Sequence, residues 1–523
     1  MHKTIELTLL PHELDDSRLI RKRAVAKAQA NEQDVTLVKV VKRSLDARGS
    51  RPVFRLKVEV FEKESPTPEP VFLDELKDVS KRPPVIIVGA GPAGYFAALE
   101  LIELGFKPIV LDRGKDVRQR RRDLRAIQQF GKVNPDSNYC FGEGGAGTYS
   151  DGKLYTRSHK RGHIYKAMKL LVEHGAKADI LVDAHPHIGS NKLPHIVANI
   201  RQTILEHGGE VHFDARVTDF ILRNEVMEGV IVNDKLEFRA NAVILATGHS
   251  ARDIYQLLHR RQIVIQPKPF ALGVRIEHPQ PLIDKIQYGI EKRGTHLPAS
   301  SYRLACQVND RGVFSFCMCP GGLVVPAATS PGEIVVNGMS MSRRDSPFAN
   351  SGTVVQVELE DLHEYDVHGV FKAMVFQREV EQTLFKYGDG SQKAPALRLT
   401  DFVRGKVSTT LPPSSYIPGL YPAPLHELLP DWIYDRLKKA VRIFGKKMPG
   451  YFSEEVNVIA TESRTSAPVR IPRHKATYMH INTPGLFPAG EGAGYAGGII
   501  SAAMDGQNVA RAVAQYMESR VLS

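Results

Sequence analysis

Three glycines follow a short apolar segment and stand at the spacing of a dinucleotide-binding turn. Gly89, Gly91 and Gly94 form a G-x-G-x-x-G pattern directly after Val85–Val88, which predicts a buried strand. In such a turn the first glycine permits the tight bend, the second lets the backbone approach a pyrophosphate, and the third lets a helix pack closely on the strand. The pattern therefore predicts chemistry that depends on a bound dinucleotide.

A carboxylate follows this turn at the expected distance. Asp112 stands 18 positions beyond Gly94, at the end of the apolar segment Pro108–Leu111. Between them, Tyr95–Leu104 predicts a helix that stops at Gly105. An acid at this place accepts hydrogen bonds from ribose hydroxyls and repels a 2′-phosphate, so FAD or NAD is expected rather than NADP. Strand, helix, second strand and acid together predict a βαβ unit.

Two segments far downstream have the small residues that a bound cofactor requires. The strand predicted at Ala242–Leu245 ends in Ala246–Gly248, where small side chains let the backbone pass beside a ligand. Gly490 and Glu491 begin a second glycine-rich segment, and the residues from Ile499 onward predict a helix packed closely on its neighbours.

These segments together resemble the FAD-dependent oxidoreductases that have a glutathione-reductase-like FAD domain. The resemblance implies that FAD is the cofactor and that Glu491 binds its ribityl or pyrophosphate region, in a family that more often has aspartate there. It also implies that the helix after Gly497 and Gly498 directs its positive N-terminal end at the flavin ring, where it stabilises negative charge.

A closer resemblance extends over nearly the whole chain, to the uncharacterised FAD-dependent dehydrogenases of bacteria. The segments that carry it are Phe141–Leu154, Pro186–Gly189, Gly273–Pro279, Phe316–Gly322 and Pro468–Ile471. That family has a small N-terminal domain and a distinct C-terminal substrate domain. The resemblance implies a cofactor and an architecture without a defined substrate.

A second G-x-G-x-x-G pattern, at Gly142, Gly144 and Gly147, is not expected to build another dinucleotide domain. The strand signal before it is short and no helix pattern follows it. We expect a loop with backbone donors near the pyrophosphate or the flavin ring and with Ser150 and Lys153 as cofactor contacts; the alternative is a purely structural loop. The residues predicted to bind FAD are Gly89, Gly91, Pro92, Ala93, Gly94, Asp112, Arg113, Gly144, Gly147, Ser150, Lys153, Val217, Ala246, Thr247, Gly248, Gly490, Glu491, Gly497, Gly498 and Ile499.

Cys317 and Cys319 are the most suggestive chemical pair outside the predicted cofactor site. On a strand their sulfurs would face the same side because side chains alternate, and the alternative is two small buried residues. Their spacing is not that of a metal site, so no metal is expected. With Arg275 and Arg470 they are the substrate-side candidates for catalysis, although an ordinary ion pair is the alternative for each arginine.

The elements that position these residues divide the chain into five stretches. Residues 1–63 predict a small α+β domain and residues 64–82 a proline-rich linker. A Rossmann-type FAD-binding domain begins at 83–265, is interrupted by a mixed α+β substrate domain at 266–455, and is completed by 456–523. The predicted fold class is α/β, with the small domain and the inserted domain attached to it.

Composition limits the class of protein. The 523 residues allow about three domains and contain no apolar segment of membrane-spanning length. Four unevenly placed cysteines and an N-terminus unlike a secretory leader favour the cytoplasm. The net charge of +12 and the arginines from Arg118 to Arg125 suggest a nucleic-acid role. No RNA-binding signature is present, however, and a solvated helix face is the favoured interpretation of these arginines.

We therefore expect an FAD-dependent oxidoreductase that moves hydride or electrons between the flavin and a small substrate, with NAD(P)H or another redox partner visiting transiently. One alternative is a nucleic-acid-associated flavoprotein similar in class to tRNA-modifying FAD proteins. Another is a flavin-binding sensor or assembly factor without turnover. The sequence leaves open the substrate, the direction of reaction, the nicotinamide preference and the oligomeric state.

Overall fold

The N-terminal residues build a three-stranded antiparallel sheet with one helix packed on it. The computed structural model describes residues 2–49, 51–156 and 162–521. The elements of this first unit are β1 (His2–Leu9), α1 (Ser17–Ala28), β2 (Val35–Asp46) and β3 (Val53–Glu62). The sheet order is β1-β3-β2, and alternating apolar residues of β1 and β3 bury one face against α1. The unit therefore has a small core of its own.

The second unit alternates strands and helices, as the glycine turn and its flanking apolar segments predict. Its elements in chain order are β4 (Pro84–Val88), α2 (Pro92–Leu104), β5 (Lys107–Leu111), α3 (Val117–Phe130), α4 (Ile164–Glu173), α5 (Leu193–Glu206), β6 (Glu210–His212), β7 (Val217–Arg223), β8 (Val226–Val232), β9 (Leu236–Arg239), β10 (Val243–Leu245) and α6 (Arg252–Arg260). Strands β7, β8 and β9 form a separate antiparallel sheet, while β4, β5, β6 and β10 pair in parallel.

The third unit is a mixed sheet of seven strands covered by helices. Its elements are β11 (Gln266–Pro267), β12 (Phe270–Pro279), α7 (Gln280–Tyr288), β13 (Ala305–Val308), β14 (Arg311–Cys319), β15 (Gly322–Pro326), β16 (Val336–Ser340), β17 (Phe348–Val357), α8 (Lys372–Tyr387), β18 (Ala394–Arg398), α9 (Leu399–Arg404), β19 (Leu420–Pro422), α10 (Leu425–Leu428), α11 (Asp431–Lys447) and β20 (Asn457–Glu462). The sheet order is β13-β14-β17-β12-β20-β18-β19, and apolar residues of α8 and α11 complete its core.

The chain then returns to the second unit through β21 (Val469–Arg470), β22 (Leu486–Pro488) and α12 (Ile499–Val521). Strand β22 pairs in parallel with β10, which gives a five-stranded parallel sheet in the order β22-β10-β4-β5-β6. The boundary predicted at residue 456 is therefore wrong by one strand. The reason is that β20 is wholly buried between β12 and β18 of the seven-stranded sheet and pairs antiparallel with both.

Helices α2 and α12 cover one face of the five-stranded sheet and touch each other at their backbones. A Cβ added to Gly506 of α12 would lie 2.0 Å from the carbonyl oxygen of Ala93 in α2. The two helices can approach this closely only because residue 506 has no side chain. Within the described part of the chain, no helix combines the length and the apolar character that crossing a membrane requires.

Three buried charges and the partly buried Arg252 join the second and third units. Arg252 of α6 donates to Glu333 at 2.8 Å and to Glu381 of α8 at 2.9 Å. Arg464, just beyond β20, donates to Glu381 at 2.7 Å and to Glu333 at 3.2 Å. Burial opposes ionisation of Glu381, but the charges of Arg252 and Arg464 outweigh it and lower its pKa to about 2. The cluster therefore fixes α6 against the seven-stranded sheet.

Replacing Glu381 by Gln is expected to destabilise the protein by about 3 kcal/mol, because both arginines then lose a compensating charge. Urea unfolding followed by circular dichroism measures the change. The matched control is Glu379→Gln, on the same helix but exposed, which should change stability by less than about 0.5 kcal/mol. Equal midpoints for the two variants would contradict a structural role for the cluster.

Candidate functional site

A cleft opens at the carboxyl ends of β4, β5 and β10, with about 1380 Å³ of space that includes its opening to solvent. Open parallel sheets bind their ligands at this edge. The predicted residues that line the cleft are Gly89, Gly91, Pro92, Ala93, Asp112, Arg113, Gly147, Ser150, Lys153, Val217, Ala246, Thr247, Gly248, Gly490, Glu491, Gly498, Ile499 and Cys317. Residues from distant parts of the chain thus converge on one cleft.

The turn between β4 and α2 is packed against backbone on two sides. A Cβ on Gly89, whose φ is +110°, would lie 2.4 Å from the carbonyl oxygen of Ala246, and one on Gly94 would lie 1.9 Å from the oxygen of Gly89. At Gly91 the nearest atom to such a Cβ is the Cα of Gly145, 3.9 Å away. Gly94 therefore serves close packing and does not line the cleft. Gly91 leaves bare backbone beside the N-terminus of α2, where N–H groups favour an anion such as a pyrophosphate.

The Asp112 carboxylate holds this turn in place. The N–H of Ala90 donates to Oδ2 at 2.9 Å, and the N–H of Gly114 donates to Oδ1 at 2.8 Å. A carboxylate has about four acceptor sites, so these bonds leave capacity for a ribose hydroxyl at the cleft wall. The acid therefore has a structural role in addition to the ribose contact that the sequence predicts.

The second G-x-G-x-x-G pattern, at Gly142, Gly144 and Gly147, lies in a loop, as predicted. Gly145–Gly147 forms a single 3-10 turn, with neither the strand before it nor the α-helix after it that a dinucleotide turn needs. A Cβ on Gly144 would lie 1.8 Å from Thr148 Oγ1, so Gly144 serves the fold of the loop and does not line the cleft. A Cβ added to Gly147 would lie 3.1 Å from Cγ1 of Ile499, so this glycine packs against the start of α12.

Two side chains at the end of this loop line the cleft and already have partners. The Ser150 hydroxyl donates to the carbonyl of Gly147 at 2.8 Å and accepts from the N–H of Gly152 at 3.0 Å. The Lys153 ammonium forms an ion pair with Asp151 at 3.6 Å. Ser150 thus shapes the loop, whereas the lysine brings a positive charge to the cleft wall.

Lys153 also connects this loop to the third unit. Its ammonium donates to the carbonyl of Met318 in β14, while Arg344 and Ser340 both bond to the neighbouring Asp151. The side chain of Lys153 remains 38% exposed, so its charge is available to a ligand in the cleft.

The N-terminus of α12 faces the cleft across open backbone. Gly498 has a φ of +83°, and its Cβ position has no atom within 4 Å. Gly497 does not line the cleft; its Cβ position is 3.4 Å from Glu491 Oε1. Burial raises the pKa of Glu491 to about 7, against the opposing charge of Lys268. Glu491 is therefore protonated in a large fraction of molecules at neutral pH.

The wall formed by the end of β10 suits a large polar ligand. Thr247 Oγ1 is buried and has no hydrogen-bond partner among the described residues. Gly248, with a φ of +73°, has no atom within 4 Å of its Cβ position. An unpartnered buried hydroxyl and bare backbone at one wall fit a cofactor that supplies polar atoms and lies close to the main chain.

Cys317 is the residue of the third unit that lines the cleft, among those the structure describes. It has a φ of +44° and lies where the pairing of β14 with β17 shifts register between Phe316 and Cys319. The bulge interrupts the regular alternation on which the prediction relied, yet the two cysteine side chains remain close enough to share a hydrogen bond. Cys319 is fully buried, outside the cleft, and its thiol donates to the Cys317 carbonyl at 3.2 Å.

Neither predicted arginine lines the cleft. Arg275 is fully buried, with Nε 2.7 Å from Glu462 Oε2 and Nη1 3.4 Å from the Cys317 carbonyl oxygen. It therefore positions the bulge and cannot contact a substrate. Arg470, on β21, extends over the ring of Tyr495 at 5.6 Å. The expectation that Arg275 acts on substrate is therefore corrected, whereas for the exposed Arg470 it stays a prediction.

The sequence analysis missed several residues of the cleft wall. They are Cys140, Phe141, Gly145, Ala146, Asp151, Gly152, Arg216, His249 and Ser250. His249 and Ser250 directly follow the Ala246–Gly248 strand end, which was the signal available for them. Burial, and next the charge of Arg464, lower the pKa of His249 to about 4, so this ring is neutral at pH 7.

The arginine cluster of α3 is divided between core and surface. Arg120 is fully buried and donates to the carbonyls of Asn138 at 2.8 Å and Glu143 at 2.7 Å. The exposed arginines are Arg118, Arg121, Arg122 and Arg125. The nucleic-acid hypothesis therefore rests on four arginines of this helix, and Arg120 belongs to the scaffold of the cleft loop.

Sequence comparison decides the class of cofactor. Residues 82–127 match a model described as an FAD binding domain, and residues 269–465 match one described as an FAD-dependent protein, C-terminal domain-like. Residues 1–61 match a domain of unknown function. An uncharacterized protein of Clostridium beijerinckii is 40% identical over 527 residues, which cover 96% of this chain and 97% of the relative. The chain belongs to a family of FAD-dependent proteins. FAD is its cofactor.

Other similarities are partial or remote. A thiamine thiazole synthase of Methanococcus maripaludis is 25% identical over 189 residues, which cover 34% of this chain and 60% of the synthase. A geranylgeranyl bacteriochlorophyll reductase-like structure from Thermoplasma acidophilum is 14% identical, with 84% and 81% coverage and a TM-score of 0.36. The structure of CtdE with FAD is 12% identical, with 83% and 84% coverage and a TM-score of 0.31. At these values the chemistry of those proteins does not transfer to this chain.

Replacing Thr247 by Val is expected to weaken FAD binding about fivefold, since one hydrogen bond contributes about 1 kcal/mol, while the FAD-free protein keeps or slightly gains stability. The gain arises because the buried hydroxyl has no partner without the cofactor. Fluorescence titration and thermal unfolding of the FAD-free protein measure the two effects, with Thr247→Ser as the control that retains the hydroxyl. A variant that binds FAD as tightly as the wild type would remove Thr247 from the site.

FAD affinity is expected to fall about fivefold to tenfold between pH 6 and pH 8, because ionised Glu491 repels the pyrophosphate and its pKa is about 7. The same raised pKa makes the FAD-free protein lose stability as pH rises from 4.5 to 7. Glu491→Gln should bind FAD with nearly constant affinity over this range. Equilibrium titration at several pH values tests this, and parallel curves for both proteins would contradict it.

Proposed function

We propose that this protein is an FAD-dependent oxidoreductase that exchanges an electron pair between its flavin and a small organic substrate at the end of the cleft bordered by Lys153 and Cys317. The observation that carries the proposal is the position of Cys317. A residue of the seven-stranded sheet reaches the cleft of the five-stranded sheet, so two units contribute to one reaction site. Ligand sites commonly form at such junctions.

The order of residues along the cleft supports an orientation for FAD. Asp112 and Val217 lie at one end, joined through the hydrogen bond from Ala215 N–H to the Asp112 carbonyl at 2.9 Å. Gly91 lies next to the glycine loop, and Lys153 lies at the end that touches β14. This order matches adenosine, pyrophosphate and flavin ring. In this orientation the flavin ring would lie beside the third unit.

The residues at the proposed ring end can stabilise negative charge on the flavin. Bound FAD supplies the capacity to accept or release an electron pair. The Lys153 ammonium and the N–H groups at the start of α12 stabilise negative charge that develops there. His249 stays neutral at pH 7, and because its Nδ1 is paired with Ser250 Oγ at 2.9 Å, its Nε2 can form one hydrogen bond to a ligand without adding charge.

The electron donor is proposed to reach the cleft from solvent. The described residues contain one strand–glycine turn–helix of dinucleotide type, at β4 and α2, and the second glycine pattern is a loop. NAD(P)H or another redox partner would therefore visit the flavin transiently. A flavin sensor without turnover is the competing interpretation.

Anaerobic stopped-flow mixing of the FAD-loaded protein with NADH, NADPH and dithionite tests this function. We expect bleaching of the flavin absorbance with a donor and its return with an organic acceptor. A protein that neither binds nor can be reconstituted with FAD would contradict the proposal. Reduced flavin that no acceptor reoxidises would support the sensor instead.

In the same assay Lys153→Met should retain FAD and be reduced about tenfold more slowly, which corresponds to about 1.4 kcal/mol of lost transition-state stabilisation. The control is Lys169→Met, which removes a lysine paired with Glu69 away from the cleft and should react at the wild-type rate. Equal rates for Lys153→Met and wild type would exclude an electrostatic role for Lys153.

A further inference from the structure

The backbone of β14 brings Cys317 and Cys319 together in a way that a regular strand does not. The strand pairs with β17 at Phe316↔Gly352 and again at Cys319↔Asn350, so one extra residue is accommodated between these pairs. In extended backbone the Cα atoms of residues i and i+2 are about 6.6 Å apart, near the upper limit of about 6.8 Å for a disulfide. A bulge bends the strand at this point, and here the Cys319 sulfur lies 3.2 Å from the Cys317 carbonyl oxygen.

The two sulfurs have opposite acid–base properties. A hydrogen bond from the Cys319 thiol lowers the pKa of Cys317 to about 5; burial opposes this, and the charges of Lys153 and Arg275 add to it. The same hydrogen bond and burial raise the pKa of Cys319 well above its usual value. The Cys317 thiol therefore loses its proton more readily than an ordinary thiol, and the Cys319 thiol less readily.

Access differs between the sulfurs as well. Cys317 lines the cleft, whereas Cys319 is fully buried behind it. A molecule in the cleft therefore contacts Cys317, which is partly exposed, whereas Cys319 is shielded from it. This arrangement separates an attacking thiolate from a resolving thiol, which are the two roles that thiol–disulfide exchange requires.

We propose that Cys317 and Cys319 form a redox-active dithiol that takes an electron pair from reduced FAD and delivers it to a disulfide substrate in the cleft. The proposal rests on the proposed function, because it uses the flavin as the source of electrons. It gives that function a substrate class, and it explains why the seven-stranded sheet contributes a cysteine to the cleft.

The steps balance as follows. The Cys317 thiolate attacks one sulfur of the substrate disulfide, a mixed disulfide forms, and the first substrate thiolate leaves and takes a proton. Cys319 loses its proton and its sulfur attacks the Cys317 sulfur, so the Cys317–Cys319 bond forms and the second substrate thiolate leaves and takes a proton. Two electrons from reduced FAD and one proton then break the Cys317–Cys319 bond and restore the Cys317 thiolate and the Cys319 thiol.

Anaerobic dithionite titration of the oxidised, FAD-loaded protein tests the first half of the proposal. The wild type should take up two electron pairs per FAD, and Cys319→Ser only one, at equal FAD content. The control Cys306→Ser changes a half-buried cysteine of β13 and should take up two. Alkylation in denaturant followed by peptide mass spectrometry should show Cys317 and Cys319 unmodified before reduction and alkylated after it.

Uptake of only one electron pair per FAD by the wild type, with both cysteines alkylated before reduction, would overturn the proposal of a redox-active dithiol. The proposed flavoenzyme function would be unaffected. A protein that holds no FAD would instead remove the proposed function. The two failures are thus distinguishable. Because serine is close to cysteine in size, thermal unfolding of each variant checks that the fold is retained.

Cystine is the probe for the second half of the proposal, the transfer of electrons from the cysteine pair to a disulfide substrate. Reduced Cys319→Ser should accumulate a half-cystine adduct on Cys317, detected by mass, because no thiol is present to resolve it. Reduced wild type should form the internal disulfide and release two cysteines, and Cys317→Ser should do neither. Absence of the adduct from Cys319→Ser would overturn the disulfide as substrate class.

Discussion

The site depends on a place where three segments of backbone meet with no room for side chains. The turn after β4 passes so close to Ala246 at the end of β10, and to the first turn of α2, that residues 89 and 94 must be glycine. Asp112 ties the same turn to the end of β5 through two main-chain N–H groups. Because this junction fixes the carboxyl ends of three parallel strands, it also fixes the edge at which the cofactor cleft opens.

A second constraint determines what faces that cleft. The largely buried cluster of Arg252, Glu333, Glu381 and Arg464 joins α6, just beyond the cleft wall at Ala246–Gly248, to the seven-stranded sheet. Buried ion pairs of this kind are weak evidence for stability but strong constraints on geometry, since losing one partner leaves a charge uncompensated. Through this connection the sheet holds the bulge of β14 at the cleft, and Cys317 becomes part of a site built otherwise on the five-stranded sheet.

The sequence predicts the cofactor side well and the substrate side poorly, for physical reasons. Gly89, Gly91 and Asp112 belong to one βαβ unit, so their relative positions follow from local geometry and spacing. Most of the predicted cofactor residues accordingly line one cleft. Arg275 and Cys319 also stand in compact motifs, but a bulge and a buried ion pair decide where their side chains point, and neither leaves a periodic signal. The boundary before β20 was missed for a similar reason, because strand pairing with β12 and β18 is non-local.

The central claim is that the flavin ring lies between the start of α12 and Cys317, where the two sheets meet. A crystal structure of the FAD-bound protein tests it most directly. We expect the pyrophosphate at Gly91, the ribose of the adenosine at Asp112, and the flavin ring in contact with the Cys317 side chain and the Lys153 ammonium. A flavin ring bound at the Asp112 and Val217 end, with Cys317 facing solvent alone, would contradict the account.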